Sequence, residues 1–217
     1  MSDERTTRSP LYRSLISGEP LTLRGARLAT VSVSDIPRRP RFTGIVEKAD
    51  IGRSLDRKAI EAINMFYWSS LEQEIFGRTY NILDCDNYIA RPSSTPQDDP
   101  DSEGPLTHGI AGHVALFEEP EGFLHIVVFH VWPQWHGRGV GREFLNTSID
   151  EARSRGLSVI KLGTTNDNLP ALYFYQRAGF VIEQVVCGEV LRGHGAELIG
   201  FSGIPVRDEI QMRLELR

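Results

Sequence analysis

His136-Gly137-Arg138-Gly139-Val140-Gly141 lies between an apolar run, Phe123 to Val131, and an amphipathic one, Arg142 to Arg155. Glycines at alternate positions leave several backbone N–H groups unobstructed where a helix begins, and the helix dipole makes that end positive. The run reads as an anion cradle, with phosphate as the expected ligand. Spacing separates the phosphate loops that compete for it. A P-loop requires Gly-Lys and then Ser or Thr, whereas Gly141 precedes Arg142 and Glu143. A dinucleotide fingerprint requires its third glycine three residues after the second, where this chain has Arg142.

What remains is the pattern Gln/Arg-x-x-Gly-x-Gly/Ala after a strand ending in Val-x-Pro. Val131-Trp132-Pro133 ends the strand, and Gly139 and Gly141 fill the two small positions. The pattern resembles the acetyl-CoA pyrophosphate loop of the GNAT superfamily of N-acetyltransferases. His136 stands where that family usually has Gln or Arg, a departure of moderate weight because the grip is mainly through main-chain N–H groups. Downstream, Asn168-Leu169-Pro170-Ala171-Leu172-Tyr173-Phe174-Tyr175-Gln176-Arg177-Ala178-Gly179-Phe180 resembles the family's Asn-x-x-Ala-x-x-Phe-Tyr-x-x-x-Gly-Phe segment at every named position. The resemblance implies a helix whose Asn168 contacts the cofactor and whose Tyr175 lies near the thioester sulfur. From the residues alone, Ala171, Phe174 and Ala178 recur at helical spacing, Pro170 suits a first turn and Gly179 a C-terminal cap. Such a stripe by itself is more often core than catalytic.

The chain has 217 residues and a formal net charge of −5. That length supports one main domain, and the charge argues against broad capture of nucleic acid or of an anionic membrane. No apolar run is long enough to cross a bilayer, and Met1 to Ser9 lacks the apolar core of a signal peptide, so a cytoplasmic location is expected. Cys85 and Cys187 fit reduced thiols. His108, His113, His125 and His130 match no compact zinc motif, and no metal is expected.

Residues 1–20 are expected to form an extension, followed by an acetyltransferase domain over 21–217. Leu21-Thr22-Leu23-Arg24 is the expected first strand. Apolar residues recurring at Ile60, Ile63, Tyr67, Leu71 and Ile75 predict a helix from Leu55 to Phe76, capped by Ser54 or Asp56 and ended by Gly77. Residues 91–105, rich in Pro, Ser, Asp and Glu, read as an exposed acidic loop. Strands are expected at Gly109 to Glu118 and Phe123 to Val131, joined by Glu119-Pro120-Glu121-Gly122. A helix at Arg142 to Arg155, a strand at Ser158 to Thr164 and a helix at Pro170 to Ala178 follow. Strands at Phe180 to Val186 and Glu209 to Leu216 complete a mixed α/β sheet. From Gly109 onward the order resembles the GNAT fold, which implies a mixed central sheet with splayed strands flanked by helices. Thr165-Asn166-Asp167-Asn168 and Gly203 to Ile210 resemble a poorly characterised bacterial branch of that superfamily. Arg207 and Asp208 there read either as pocket residues or as a surface ion pair.

Acyl transfer from a thioester to an amine requires a neutral nucleophile, stabilisation of an oxyanion and protonation of the departing thiolate. The resemblance implies that main-chain groups of His136, Gly137, Arg138, Gly139, Val140, Gly141 and Arg142 hold pyrophosphate. It also implies that backbone around Phe129 and Val131 meets the oxyanion, Asn168 holds the pantetheine arm and Tyr175 acts as acid. His125 lies six residues before Val131, where resembling proteins place a Glu base. Period-two alternation puts His125, Val127 and Phe129 on one face, with a change of phase by a bulge near the cofactor expected only beyond Phe129, and a regular strand turns His130 the other way. An imidazole at His125 suits a base near neutral pH, and equally a histidine merely satisfied on a strand. Glu118, Glu119 and Glu121 at the hairpin tip are expected to be solvated. Phe66, Tyr67 and Trp68 read as core, or as an acceptor-pocket wall if exposed. The expected function is acetyl-CoA-dependent transfer to a primary amine of a small molecule, by a monomer or homodimer. The alternative is a non-catalytic acyl-CoA-binding module of the same fold.

Overall fold

The structure, a computed structural model, describes residues 40–93, 108–194 and 198–217. The extension over 1–20, the strand at Leu21 to Arg24 and most of the acidic loop lie outside the described residues. Strand β1 (Gly44–Lys48) opens the sheet and pairs antiparallel with β4 (Asp86–Pro92). Sequence periodicity had not marked β1. Arg91, expected at the start of the acidic loop, belongs to β4 and is ion-paired with Glu47 and with Asp56.

Helix α1 spans Ser54–Trp68, shorter than its apolar pattern predicts. Ser69 takes a left-handed conformation (φ 55°) and its N–H caps Met65, a stop that small polar residues favour over a helix interior. Asp56 is not a cap but a buried acceptor for the Asp50 amide and Arg91. Of the residues that continue the helical spacing, Ile75 instead belongs to a hairpin of β2 (Glu72–Ile75) and β3 (Arg78–Asn81), and Leu71 lies just before it, its carbonyl accepting from Ile82 N. Its two-residue turn, Phe76-Gly77, has positive φ at both positions (53° and 67°), as a tight right-twisted hairpin demands.

β5 (Gly112–Glu119), β6 (Phe123–Val131), β7 (Val159–Thr165), β8 (Val181–Val186) and β11 (Glu209–Glu215) complete a seven-stranded sheet in the order β1-β4-β5-β6-β7-β11-β8. Its single parallel contact, β6 with β7, lasts only from Leu124↔Ile160 to Ile126↔Leu162. Beyond it the strands diverge, and the β7-facing edge of residues 127–131 has no strand partner among the described residues. The chain then turns through Pro133–Trp135 into α2 (Val140–Ser154). Helix α3 (Leu169–Arg177) links β7 to β8. Helix α4 (Glu189–His194) and a small ribbon of β9 (Leu198–Ile199) with β10 (Pro205–Val206) precede β11.

β6 carries a bulge. Ala115 pairs with Val128 and Leu116 with Ile126, so Val127 is an extra residue. This corrects the expected alternation: the phase inverts at Val127, so His125 and His130 share one face and Phe129 faces the other. The first face lies under α1 and the β2–β3 hairpin, where Asn64 meets His113 and Trp68 meets His130. The second lies under α2, where Phe144 approaches Gly112 so closely that a Cβ there would sit 2.8 Å from its ring. Trp132, Phe144, Leu116, Leu124, Ile160 and Met212 are among the fully buried side chains. No helix among the described residues is long and apolar enough to cross a membrane.

Candidate active site

Three elements meet where the sheet forks: the end of β6, the N-terminus of α2 and the face of α3. Phe129 marks the junction, with ring centroids 5.8 Å from Phe144, 5.7 Å from Phe174 and 5.8 Å from Tyr175. Gly141 faces the same cluster, and a Cβ there would lie 3.4 Å from Phe174. Helix α2 therefore starts in contact range of the Phe129–Phe174 cluster, with room for no more than a small side chain at residue 141.

The loop before α2 turns through Gly137 (φ 72°) and Gly139 (φ 99°), conformations that cost a residue with a Cβ. The amides of Gly137, Gly139, Val140 and Gly141 donate to nothing among the described residues. Those of Arg138 and Arg142 turn inward, to Trp135 O (3.3 Å) and Gly139 O (3.0 Å). Of the seven-residue cradle expected from sequence, the amides of Gly137, Gly139, Val140 and Gly141 are thus open, and those of His136, which donates to Pro133 O at 3.1 Å, Arg138 and Arg142 are taken. The Arg138 side chain lies over Trp135 and donates to Gln134 O. His136 folds back to the Val131 carbonyl, 2.8 Å away, which also accepts from Tyr67 Oη at 2.5 Å. Open amides at the positive end of a 15-residue helix, with empty space beside Gly137 and Gly139, fit a pyrophosphate.

Asn168 caps α3, its Oδ1 accepting from Ala171 N at 3.3 Å, which leaves its amide nitrogen to donate elsewhere. Neighbouring motif residues are structural. Asn166 Oδ1 accepts from the amides of Arg207 and Asp208, and Asp167 accepts from Thr165 and Phe201 N. Asp208 holds Gly188 N at 2.8 Å, so it tethers the C-terminal segment. Tyr175 is 6% exposed among Phe129, Phe174 and Phe180. Burial pushes its phenol pKa up, so it stays protonated and able to donate.

On the opposite face, His125 is fully buried. Its Nδ1 lies 3.1 Å from Glu119 Oε1 and 3.2 Å from Tyr80 Oη. Phe76 meets the ring edge-on at 4.7 Å, aimed there by the strained left-handed turn that a bulky residue rarely adopts. Nε2 has no hydrogen-bond partner among the described residues. Burial pulls the His125 pKa down, the Glu119 carboxylate opposes the shift, and the net direction is downward, so the ring is neutral at pH 7. Glu119 corrects its expected place in solvent: it is 2% exposed and accepts from Tyr80 and Arg78, each at 2.5 Å. Burial raises its carboxyl pKa, but hydrogen bonds from His125 and Tyr80 and the charge of Arg78 outweigh that and hold it below the usual range.

His130 belongs to a separate cluster. It accepts from Trp68 Nε1 at 2.6 Å and stacks on Tyr67 at 4.7 Å, and burial lowers its pKa to about 3. His113 is held between Asn64 and Asn87. These rings tie α1 to the sheet. Sequence reasoning missed Tyr80 and Glu209. Glu209 on β11 is 7% exposed and its carboxyl carbon would lie 3.7 Å from a Cβ on Gly163, the first β7 residue beyond the last β6–β7 pair. Alternation along Ala115, Phe117 and Glu119, continuing toward the His125 face, was the signal that would have placed Glu119 inside.

A protein-family model described as acetyltransferase (GNAT) family matches residues 63–180. The chain is 26% identical over 162 residues to an uncharacterized protein, YxbD, of Bacillus subtilis, covering 73% of this chain and 92% of that one. It is 30% identical over 107 residues to the uncharacterized N-acetyltransferase YvbK of the same organism, covering 49% and 68%. Its fold is similar to that of a GNAT family acetyltransferase from Elizabethkingia anophelis with acetyl-CoA bound. That likeness has a TM-score of 0.60 at 18% identity, over 79% of this chain and 97% of that one.

Proposed function

We propose that this chain, which belongs to the GNAT family of acetyltransferases, transfers the acetyl group of acetyl-CoA to a primary amine of a small molecule. The observation that carries the reading is the fork itself. Bare amides at the start of α2 offer a pyrophosphate seat, and the β6 edge at 127–131, which no strand among the described residues pairs, offers backbone groups to a pantetheine arm, apart from the Val131 carbonyl that Tyr67 and His136 already fill. A buried histidine with an open nitrogen stands on one face, and a buried phenol stands beside Phe129 on the other.

Those positions divide the chemistry. His125 Nε2 takes the proton of the attacking amine, for which a neutral imidazole is required. A backbone N–H near Phe129 to Val131 meets the oxygen that gains charge, an interaction worth about 3 kcal/mol of barrier in a dry site. Tyr175 donates its hydroxyl hydrogen toward the departing sulfur. Base and acid thus approach the thioester from opposite faces of one strand. The acceptor side is narrow, because the β2–β3 hairpin roofs it: Ile75 packs onto Gly163 and Phe76 onto His125. Glu209 at the fork supplies a countercharge for an ammonium. Narrowness and negative charge together support a small cationic amine.

Calorimetric titration with acetyl-CoA and with acetyl-pantetheine tests the carrying observation. The expected result is saturable binding of acetyl-CoA, weaker by at least ~100-fold when the nucleotide and pyrophosphate are missing. Equal affinity for the two compounds would remove the loop from the account.

A further inference from the structure

We propose that Glu119 is the positioning residue of this site: its carboxylate turns His125 so that Nδ1 carries the hydrogen and Nε2 is left as the basic nitrogen facing the acceptor amine. The inference rests on the acetyl-transfer reading above and deepens its acceptor side.

Hydrogen counting assigns the tautomer. Tyr80 has one hydroxyl hydrogen and spends it on Glu119 Oε1 at 2.5 Å. The 3.2 Å approach of Tyr80 Oη to His125 Nδ1 therefore supplies no donor to the ring. Glu119 Oε1, an acceptor only, lies 3.1 Å from the same Nδ1, so that nitrogen must carry the hydrogen. In a neutral imidazole the other nitrogen then holds the lone pair. That nitrogen, Nε2, is buried and meets no donor among the described residues, an arrangement that wastes a hydrogen bond unless a ligand makes it.

The carboxylate is itself fixed. Arg78 Nη1 grips its other oxygen at 2.5 Å, while the second arm of Arg78 reaches Glu121 at 2.5 Å, closing the β5–β6 hairpin over the β2–β3 hairpin. Tyr80 and Phe76 hold the imidazole edge-on from two sides, at 5.1 and 4.7 Å, so the ring has little room to turn over. The titratable and charged groups around His125 are Arg78 and Tyr80 on β3, Glu119 on β5, Lys161 in register on β7 and Glu209 on β11. Glu119 and Glu209 favour the protonated ring, and Arg78 opposes it. Two substitutions should consequently move the ring in opposite directions.

Nitrogen and carbon NMR of histidine-labelled protein, with His125 assigned through a His125→Asn variant, reads this without turnover. In the wild type Nε2 is expected as the bare nitrogen. Glu119→Gln should shift the His125 titration to lower pH, and Arg78→Gln, a change at a half-exposed side chain, should shift it to higher pH. The acid limb of kcat/KM for the amine should follow each shift, with kcat of Glu119→Gln down at least ~10-fold. If Glu119→Gln does not fold, the Arg78→Gln shift and the wild-type tautomer still decide. A hydrogen on Nε2, or a titration that moves in neither variant, would overturn the proposal. Expected shifts in a protein that acetylates no amine would instead overturn the acetyl-transfer reading and leave the Glu119–His125 pairing standing.

Discussion

At the scale of single residues, the two catalytic candidates differ in how burial serves them. Tyr175 is a better donor for being buried, because its raised pKa keeps the hydroxyl protonated, and it is a poor outright acid for the same reason. In the proposed reaction its contribution is therefore a hydrogen bond to the departing thiolate. Tyr175→Phe should lower kcat by roughly 10-fold, within the range of a lost charge-assisted hydrogen bond, with little change in the KM for acetyl-CoA. A drop in acetyl-CoA affinity with kcat intact would show that the phenol only packs. The places of Asn168 and Tyr175, at the cap and in the body of α3, were legible in sequence because a helix repeats its pattern over several residues around them. The burial of Glu119 was not, because a carboxylate beside Pro120 and Gly122 looks like any hairpin tip; only its pairing with Arg78 and Tyr80 on β3 and with His125 on β6 reveals it as interior.

At the scale of elements, one inserted residue and one short hairpin decide the geometry. The position of β6 was readable from its apolar run, but the extra residue at Val127 was not, since Ile126-Val127-Val128 is apolar in either phase. The bulge turns His130 to the His125 face and Phe129 to the α3 face. The β2–β3 hairpin hid behind helical spacing: Leu71 and Ile75 fit a continuation of α1 as well as they fit the hairpin, and local propensity does not separate those outcomes. This hairpin packs onto Gly163 and His125, the side proposed for the acceptor. Gly163→Ala places a Cβ 2.6 Å from Ile75 Cδ1 and must push the roof outward, at a cost of about 1 kcal/mol. Enzyme kinetics should show a several-fold higher KM for the amine with unchanged acetyl-CoA affinity. Equal losses on both substrates would mean that the substitution disturbs the fork rather than its cover.

At the scale of the whole molecule, the succession of main-sheet strands and helices from Gly112 to Val186 was legible because motif, helix and strand alternate regularly there, whereas the strand at Gly44–Lys48 and the small helix and ribbon before β11 were not. That strand is half-exposed at its edge and carries a weak pattern. The core also contains a cost that composition does not announce. His113, His125 and His130 are buried and neutral, all with pKa values lowered by burial. The unfolded chain binds protons at these positions near pH 6.5, while the folded chain does not. Stability is therefore retained above pH 6.5 and lost as pH falls through that value toward the lower folded pKa values. His130, at about 3 in the fold, should alone remove ~2 kcal/mol between pH 7 and pH 5, and the other two rings act in the same direction. Urea midpoints at pH 7, 6 and 5 should fall steadily, and a flat series would contradict the neutral buried rings.

Acyl transfer at the fork, driven by His125, is the central claim, and release of CoA thiol from acetyl-CoA with a panel of small primary amines tests it most directly. The wild type is expected to release thiol with at least one cationic amine, with an acid limb below pH 6.5, and His125→Ala is expected to lose at least ~100-fold in kcat/KM together with that limb. Thiol release by His125→Ala equal to the wild type, with the same pH profile, would contradict the account.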